Sequence, residues 1–135
     1  MVDLAQLPRI ELRQLLNGEV VALDIDRGQA AIRYLPPAQM KNPNGSIQGG
    51  FITAMLDDVA GLLTHFACGE RAFSTAHISL AFLRPAPAGE WLAAEATLVQ
   101  AGRRQALLDV SLVREDGGKL CAKGSLLQVF VDASG

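Results

Sequence analysis

The chain has 135 residues, of which half are hydrophobic and 19% are charged, and its formal net charge is −2 at pH 7. This length and composition are typical of a single globular domain with its own apolar core. The charge balance, without any basic run, gives no support to a nucleic-acid or anionic-membrane partner. No stretch approaches the ~18 consecutive apolar residues of a membrane-spanning helix. We therefore expect one domain over residues 1–135 that binds neither nucleic acid nor membrane.

The cysteines, the histidines and the first residues of the chain favour a cytoplasmic protein without a metal site. Cys68 and Cys121 stand alone, which favours free thiols over a disulfide. His65 and His77 lack the spacing of metal ligands. Residues 1–16 mix acids with apolar side chains and lack the basic start and long apolar run of a signal peptide.

The chain begins with a predicted short helix. Residues 8–16 are the candidate, because Pro8 suits a first helical turn and Asn17-Gly18 supplies a stop. A β-hairpin is predicted next, around the turn Arg27-Gly28.

The most informative stretch of the sequence is a loop that opens directly onto a helix. Residues 42–50 contain Asn, Pro and Gly, which interrupt regular structure, whereas residues 51–67 carry apolar side chains at helical spacing. Unpaired N–H groups at the start of such a helix favour a carbonyl oxygen or an anion. Asp57 and Asp58 lie deeper in this apolar helix. Carboxylates there are costly unless they are paired, lie at a subunit boundary or take part in chemistry.

The rest of the chain is predicted to form a sheet. Short connections such as Ala101-Gly102 and Asp116-Gly117-Gly118 favour antiparallel hairpins. We therefore predict an α+β domain in which about six antiparallel strands curl around the long helix. Residues 1–18 would form an N-terminal helical segment and residues 20–131 the core. The predicted strands cover residues 20–26, 29–34, 74–83, 91–100, 104–115 and 119–131.

Gly49 and Asp57 are candidates for catalysis. The N–H of Gly49 would polarise a carbonyl group that approaches the bare backbone, although a tight entry turn to the helix is the alternative. Asp57 would act as a nucleophile or a general base, although an acid paired with a buried arginine is the alternative. The two residues are about 12 Å apart along a helix axis, which is far for two groups that act on one carbonyl. This spacing favours a site shared between two subunits.

Other polar residues are weaker candidates for a role in catalysis or binding. Residues 74–83 alternate between apolar and polar side chains, which predicts that Thr75, His77 and Ser79 share the polar face of a strand. Thr75 and Ser79 could orient a water or a catalytic carboxylate there, although exposed strand hydroxyls are common. Arg84 and the pair Arg103-Arg104 could bind an anionic group, although solvated turn charges would look the same.

These residues together resemble a known family. The pattern Asn42-x-x-Gly45-x-x-Gln48-Gly49-Gly50-x₆-Asp57, followed by Phe82-Leu83-Arg84-Pro85-Ala86 and a strand meander, is similar to that of the hotdog-fold acyl-CoA thioesterases. The nearest branch is the phenylacetate-degradation (PaaI-like) type, which resembles the 4-hydroxybenzoyl-CoA thioesterases. The resemblance implies a hotdog fold, assembly into homodimers and usually homotetramers, and active sites at the dimer interface.

The resemblance also implies roles for individual residues. Asp57 would be the nucleophile or general base, and the N–H of Gly49 would polarise the thioester carbonyl. Asn42 would place the attacking water or the thioester, and Thr75 would stand beside the carboxylate. Gln48 departs from the usual His-Gly-Gly motif, because an amide donates and accepts hydrogen bonds but does not gain a proton near pH 7. We expect Gln48 to orient the loop through hydrogen bonds.

The predicted function is hydrolysis of acyl-CoA or aryl-CoA thioesters to the free acid and coenzyme A. Gly50, Asp58, Arg84 and Met55 are the predicted substrate-binding residues. Neither a metal nor a redox cofactor is implied, since coenzyme A belongs to the substrate. A non-catalytic acyl-CoA-binding protein is the main alternative. A hotdog dehydratase or hydratase is the other, and it would need His77 to replace the histidine that Gln48 removes.

Overall fold

Six antiparallel strands form one sheet in the computed structural model, which describes residues 2–131. The strands are β1 (Gly18–Asp24), β2 (Gln29–Tyr34), β3 (Phe73–Phe82), β4 (Leu92–Ala101), β5 (Gln105–Arg114) and β6 (Leu120–Phe130). Their order across the sheet is β1-β2-β4-β5-β6-β3, so the long strand β3 lies at one edge. The local hairpins β1–β2, β4–β5 and β5–β6 follow from the short turns of the sequence.

Two α-helices, α1 (Glu11–Leu15) and α2 (Gly49–Ala67), are described, and α2 lies against the sheet, mainly over β4. In β4, Ala94 and Ala96 are almost completely buried, and their small side chains let the helix approach the strand closely. The buried residues of α2 are Ile52, Met55, Leu56, Val59, Ala60, Leu62, Leu63 and Thr64.

The predicted α+β architecture with one central helix is confirmed, with differences at the ends of the elements. Helix α2 begins at Gly49 rather than at residue 51, because the carbonyl of Gln48 accepts hydrogen bonds from both Phe51 and Ile52. Helix α1 begins only at Glu11, after the extended backbone of Ile10 (φ −110°, ψ 117°). Within the predicted domain of residues 1–135, Met1 and residues 132–135 lie outside the described residues.

A β-bulge in β3 overturns the alternation predicted for this strand. The pairing with β6 shifts by one residue between Thr75 and His77. Strict alternation would place Thr75 on the same face as His77 and Ser79. Thr75 instead shares the partly buried, helix-facing side with Ile78 and Leu80, while His77 and Ser79 are exposed.

A buried polar cluster ties the N-terminal helix to the core. Arg13 of α1 donates two hydrogen bonds to Asp58 of α2, at 2.9 and 3.0 Å, and the Tyr34 hydroxyl donates a third to Asp58 at 2.6 Å. The Arg13 and Asp58 side chains are only 10% and 6% exposed. Gly18 is required beside them, because a Cβ at this position would lie 2.6 Å from Arg13 and 2.7 Å from Tyr34. The ion pair therefore fixes where the N-terminal segment crosses the domain.

The two cysteines are free, with Cys121 buried and Cys68 half-buried. Burial raises the pKa of both thiols, so both are protonated and weakly nucleophilic near neutral pH. Over the described residues, no helix is both long and apolar enough to cross a membrane.

We expect Arg13→Met to lower the free energy of unfolding by about 3 kcal/mol, because it leaves the Asp58 carboxylate buried without its counter-charge. Urea denaturation at matched protein concentration measures this loss. The matched control is Arg27→Met, since Arg27 and Asp24 are 79% and 49% exposed and 3.8 Å apart. The control should change stability by less than about 0.5 kcal/mol. Equal losses in the two variants would contradict the structural role of the Arg13–Asp58 pair.

Tyr34 should make stability fall above about pH 10. Burial, reinforced by the negative charge of Asp58, raises the pKa of its phenol well above the ordinary value. The unfolded chain therefore loses this proton before the folded protein does, so the contribution of Tyr34 is complete below pH ~10 and declines above it. Tyr34 is the single tyrosine of the sequence, so tyrosinate absorbance reports it alone. The signal should appear only as the protein unfolds, and Tyr34→Phe should flatten the alkaline decline.

Candidate active site

Asp57 lies half-buried on α2 with a hydroxyl partner on the neighbouring strand. The Thr75 hydroxyl donates a hydrogen bond to Oδ1 of Asp57 at 2.7 Å. Among residues 2–131, Asp57 takes part in no ion pair. A carboxylate without a counter-charge, with one oxygen held by a hydroxyl, is free to accept a proton or attack a carbon through its other oxygen.

Asp57 and Thr75 open into a cavity of about 450 Å³ between α2 and the N-terminal segment. Most of its wall is apolar, and the remaining polar groups are Arg13, Asp58 and His65. The apolar lining residues are Leu7, Pro8, Ile10, Leu12, Gly61, Leu62, Phe66 and Phe73. The cavity suits an apolar ligand that reaches Asp57.

Gln128 of β6 is a polar residue of this region that sequence reasoning missed. It is fully buried and lies 2.9 Å from the Thr75 hydroxyl. Gln128 lies between Leu126 and Phe130 on the inward face of β6, where the alternation of the strand predicts an apolar side chain. A polar residue at such a position could have indicated a role for Gln128.

Asp58 is adjacent to Asp57 in sequence but has a different environment. Successive helical residues point about 100° apart, and Asp58 is turned towards Arg13 and Tyr34, which occupy both of its oxygens. This arrangement is the buried arginine pair that was the alternative interpretation of the helix acids.

The residues at the start of α2 line a second cavity, of about 350 Å³. Gly49 lies in its wall as the first residue of the helix, and the neighbouring Gln48 side chain makes no capping hydrogen bond. In the described part of the chain, the N–H groups of Gly49 and Gly50 have no backbone acceptor, as expected for a helix start. The Gly49 N–H is therefore available to a ligand oxygen.

Asn42 organises the loop that leads to this helix start. Its Oδ1 accepts hydrogen bonds from the backbone N–H groups of Asn44 and Ser46, at 2.9 and 3.1 Å. The Asn42 N–H donates to the carbonyl of Ser46 at 2.6 Å. The backbone and the side chain of Asn42 therefore both hold residues 42–46 in a compact turn. Asn42 also lines the second cavity.

The other predicted substrate-binding residues have different surroundings. Gln48 and Gly50 are exposed, whereas Met55 is fully buried in the core and lines neither of these cavities. Arg84 is exposed in the wall of the Gly49 cavity. It also lines an adjoining cavity of about 350 Å³ together with Lys119.

The structure thus separates the predicted catalytic residues into two groups. Asp57 and Thr75 line the first cavity, whereas Asn42 and Gly49 line the second, and no lining residue is common to both. The described residues contain no cluster of His, Cys, Asp or Glu side chains arranged to hold a metal ion.

Comparisons with known proteins agree on one family. The model of the thioesterase superfamily matches residues 44–121. A structure of a phenylacetic acid degradation-related protein from Ralstonia eutropha JMP134 is 33% identical, covers 92% of each chain and superposes with a TM-score of 0.84. A mutant of the phenylacetic acid degradation protein PaaI from Thermus thermophilus is 26% identical, with 88% of this chain and 97% of that chain covered and a TM-score of 0.78.

A curated relative is similar over a shorter stretch. An acyl-CoA thioester hydrolase from Zymomonas mobilis, described as uncharacterized, is 32% identical over 83 residues, which are 62% of this chain and 56% of that protein. Because the family model spans more than half of the sequence and the fold is shared over nine-tenths of it, the chain belongs to the thioesterase superfamily, as a hotdog-fold protein of the PaaI-like type.

Proposed function

We propose that this protein hydrolyses acyl-CoA or aryl-CoA thioesters to the free acid and coenzyme A, at a site completed by two subunits. The observation that carries the proposal is the Asp57–Thr75 pair at the polar end of an apolar cavity, with no competing ion pair on the carboxylate among the described residues. Membership of the thioesterase superfamily and the likeness to an acyl-CoA thioester hydrolase support the thioester as the bond that is cleaved.

Asp57 would act through the oxygen that Thr75 leaves free. As general base, it takes a proton from water while the water oxygen attacks the thioester carbonyl carbon. The C–S bond then breaks, and the thiolate of coenzyme A takes up a proton to leave as the thiol. As nucleophile, Asp57 would attack the carbonyl carbon itself, the C–S bond would break to release the coenzyme A thiolate, and water would then hydrolyse the acyl-enzyme anhydride to the free acid and the Asp57 carboxylate.

The N–H of Gly49 would stabilise the negative charge that develops on the thioester oxygen. A helix start offers both an unpaired N–H and the positive end of the helix dipole to such an oxygen. Gln48, the N-cap residue, would act only by orienting this loop, because its exposed side-chain amide makes no capping hydrogen bond and neither gains nor loses a proton near pH 7.

Two subunits are needed because the two halves of the site open into different cavities of one chain. Gly49 of one subunit would face Asp57 of the next, so that one thioester meets both groups. The ten-residue strand β3 lies at a sheet edge and carries Thr75, and pairing such an edge with a second copy would also satisfy its free backbone groups. We propose a homodimer as the smallest active unit and a homotetramer as the full assembly.

The substrate would extend from the basic side chains of Arg84 and Lys119 to the apolar cavity of 450 Å³. Arg84 and Lys119 would attract the phosphates of coenzyme A beside the Gly49 cavity. The acyl or aryl group would enter the 450 Å³ cavity, where Leu62, rather than the core residue Met55, meets it. Asp58 would hold the cavity wall through Arg13.

The reaction requires only water besides the thioester, and we propose that it takes place in the cytoplasm without a metal or redox cofactor.

The hydratase alternative gains no support from the position of His77. The bulge in β3 leaves His77 exposed on the sheet face opposite to Thr75, away from Asp57.

We expect Asp57→Asn to lower kcat for thioester hydrolysis by about 10²–10⁴-fold, because the amide neither accepts a proton nor attacks the carbonyl. Release of the coenzyme A thiol from short-chain, long-chain and aromatic acyl-CoAs measures this rate. The matched control is Asp109→Asn on the exposed face of β5, which should retain full activity. Undiminished turnover in Asp57→Asn would exclude the proposed mechanism. Tight acyl-CoA binding by the wild type without turnover of any thioester would favour the non-catalytic alternative.

A subunit-mixing experiment should test the shared site. Gly49→Pro removes one N–H from the first helical position, which tolerates proline, and the preceding Gln48 already has a compatible backbone (φ −59°, ψ 137°). We expect Gly49→Pro and Asp57→Asn each to be inactive alone. After mixing by unfolding and refolding, about one quarter of the sites should be intact, because half of the dimers are mixed and each carries one unaltered site.

Gly49→Ala is the matched control, since it keeps the N–H and its Cβ would make an ordinary 3.4 Å contact with Phe82. Activity that does not return on mixing, or an active monomer in light scattering, would contradict the shared site.

A further inference from the structure

Beside the candidate base, the Thr75 hydroxyl contacts the side-chain amide of Gln128, and the position of the proton decides which group donates this hydrogen bond. Thr75 Oγ1 lies 2.7 Å from Asp57 Oδ1 and 2.9 Å from Gln128 Oε1. A threonine hydroxyl has a single proton to donate, and an ionised carboxylate is a stronger acceptor than an amide oxygen. The proton of Thr75 therefore goes to Asp57, and the contact with Gln128 needs a donor from the amide side.

The amide of Gln128 has such a donor that is otherwise unused. Its Nε2 is buried without a hydrogen-bond partner among the described residues, whereas its Oε1 faces the hydroxyl. The two ends of a planar amide have nearly the same shape, so the hydrogen-bond network decides which end faces Thr75. Turning the amide by 180° pairs Nε2–H with Thr75 Oγ1. The turn leaves one N–H and the C=O unpaired in place of two unpaired N–H groups, and it removes a contact between two acceptor oxygens.

We propose that Gln128 is a positioning residue that acts on Asp57 through Thr75; this inference rests on the proposed function of Asp57. Gln128 Nε2 donates to Thr75 Oγ1, and Thr75 donates to Asp57 Oδ1. The hydrogen bonds therefore run in one direction, from Gln128 to Asp57. The threonine hydroxyl is no longer free to turn towards another acceptor. Oδ1 of Asp57 stays occupied, and Oδ2 is presented to water or substrate.

The fold places Gln128 for this role. Thr75 and Gln128 are direct partners in the β3–β6 pairing, and the bulge after Thr75 turns its side chain to the face on which Gln128 lies. On the other side of Gln128, the paired residue of β5 is Ala106, which is fully buried and has no polar side-chain atom. Among the described side chains, only Thr75 lies within hydrogen-bonding distance of the Gln128 amide.

A double-mutant cycle tests the proposal. Gln128→Met keeps the volume of the side chain and removes its hydrogen bonds, and it should lower kcat about tenfold with KM changed by less than about twofold. Thr75→Val should lower kcat at least as much. The double variant should be no slower than Thr75→Val, since Gln128 acts only through that hydroxyl. Gln105→Met, at an exposed position of β5, is the matched control and should be fully active.

Multiplicative losses in the double variant, or an unchanged kcat in Gln128→Met, would overturn the proposal. Gln128→Glu gives a second check, because a buried carboxylate would accept the Thr75 proton and withdraw it from Asp57. This variant should be slower than Gln128→Met.

A measurement on the wild-type protein separates this inference from the proposed function and from the folding of variants. In NMR spectra, the side-chain NH₂ protons of Gln128 should show nuclear Overhauser contacts to the hydroxyl or β proton of Thr75. Contacts to Ala106 and other neighbours, with none to Thr75, would show that the oxygen faces the hydroxyl and would overturn the inference. A wild type that hydrolyses no thioester yet shows the Thr75 contacts would leave the orientation of Gln128 established and refute only the catalytic function.

Discussion

Helix α2 packs against one face of the sheet, and this packing positions the candidate site residues that the helix carries. The helix buries its apolar side over β4, where Ala94 and Ala96 leave room for it. That orientation fixes where its two consecutive acids point. Asp58 is directed to one side, where Arg13 and Tyr34 neutralise and cover it. Asp57, about 100° further round the helix, meets a threonine hydroxyl instead and lines the apolar cavity whose wall also includes Asp58 and Arg13.

This division gives two identical side chains, one residue apart, different surroundings. A carboxylate with two arginine hydrogen bonds and a phenol is held in place and has little capacity for chemistry. A half-buried carboxylate with a single neutral donor keeps one oxygen for a reaction. The same rigid helix also separates Asp57 from the N–H groups at its start, which open into another cavity. The proposed function therefore uses the two ends of this helix in different copies of the chain, one contributing Asp57 and the other the N–H of Gly49.

Much of the fold was predictable because its signals are local. The Asn-, Pro- and Gly-containing loop, the helical spacing after it and the short turns between strands defined the elements to within a few residues. The bulge in β3 was not predictable, because the strand sequence alternates regularly and only the pairing with β6 shows where the register shifts. For the same reason Thr75 seemed to share a face with Ser79, and Gln128 was not recognised as a neighbour of the candidate base.

The central helix, the loop before it, the two acids within it and the family resemblance can all be identified from the sequence, because they depend on residue types and short spacings. The folded chain was needed to show which acid pairs with Arg13, which side of β3 Thr75 occupies and that Gln128 lies beside it. Those contacts join residues far apart in the chain, such as Arg13 with Asp58 and Thr75 with Gln128, and their geometry is set by strand register and helix packing rather than by any local preference.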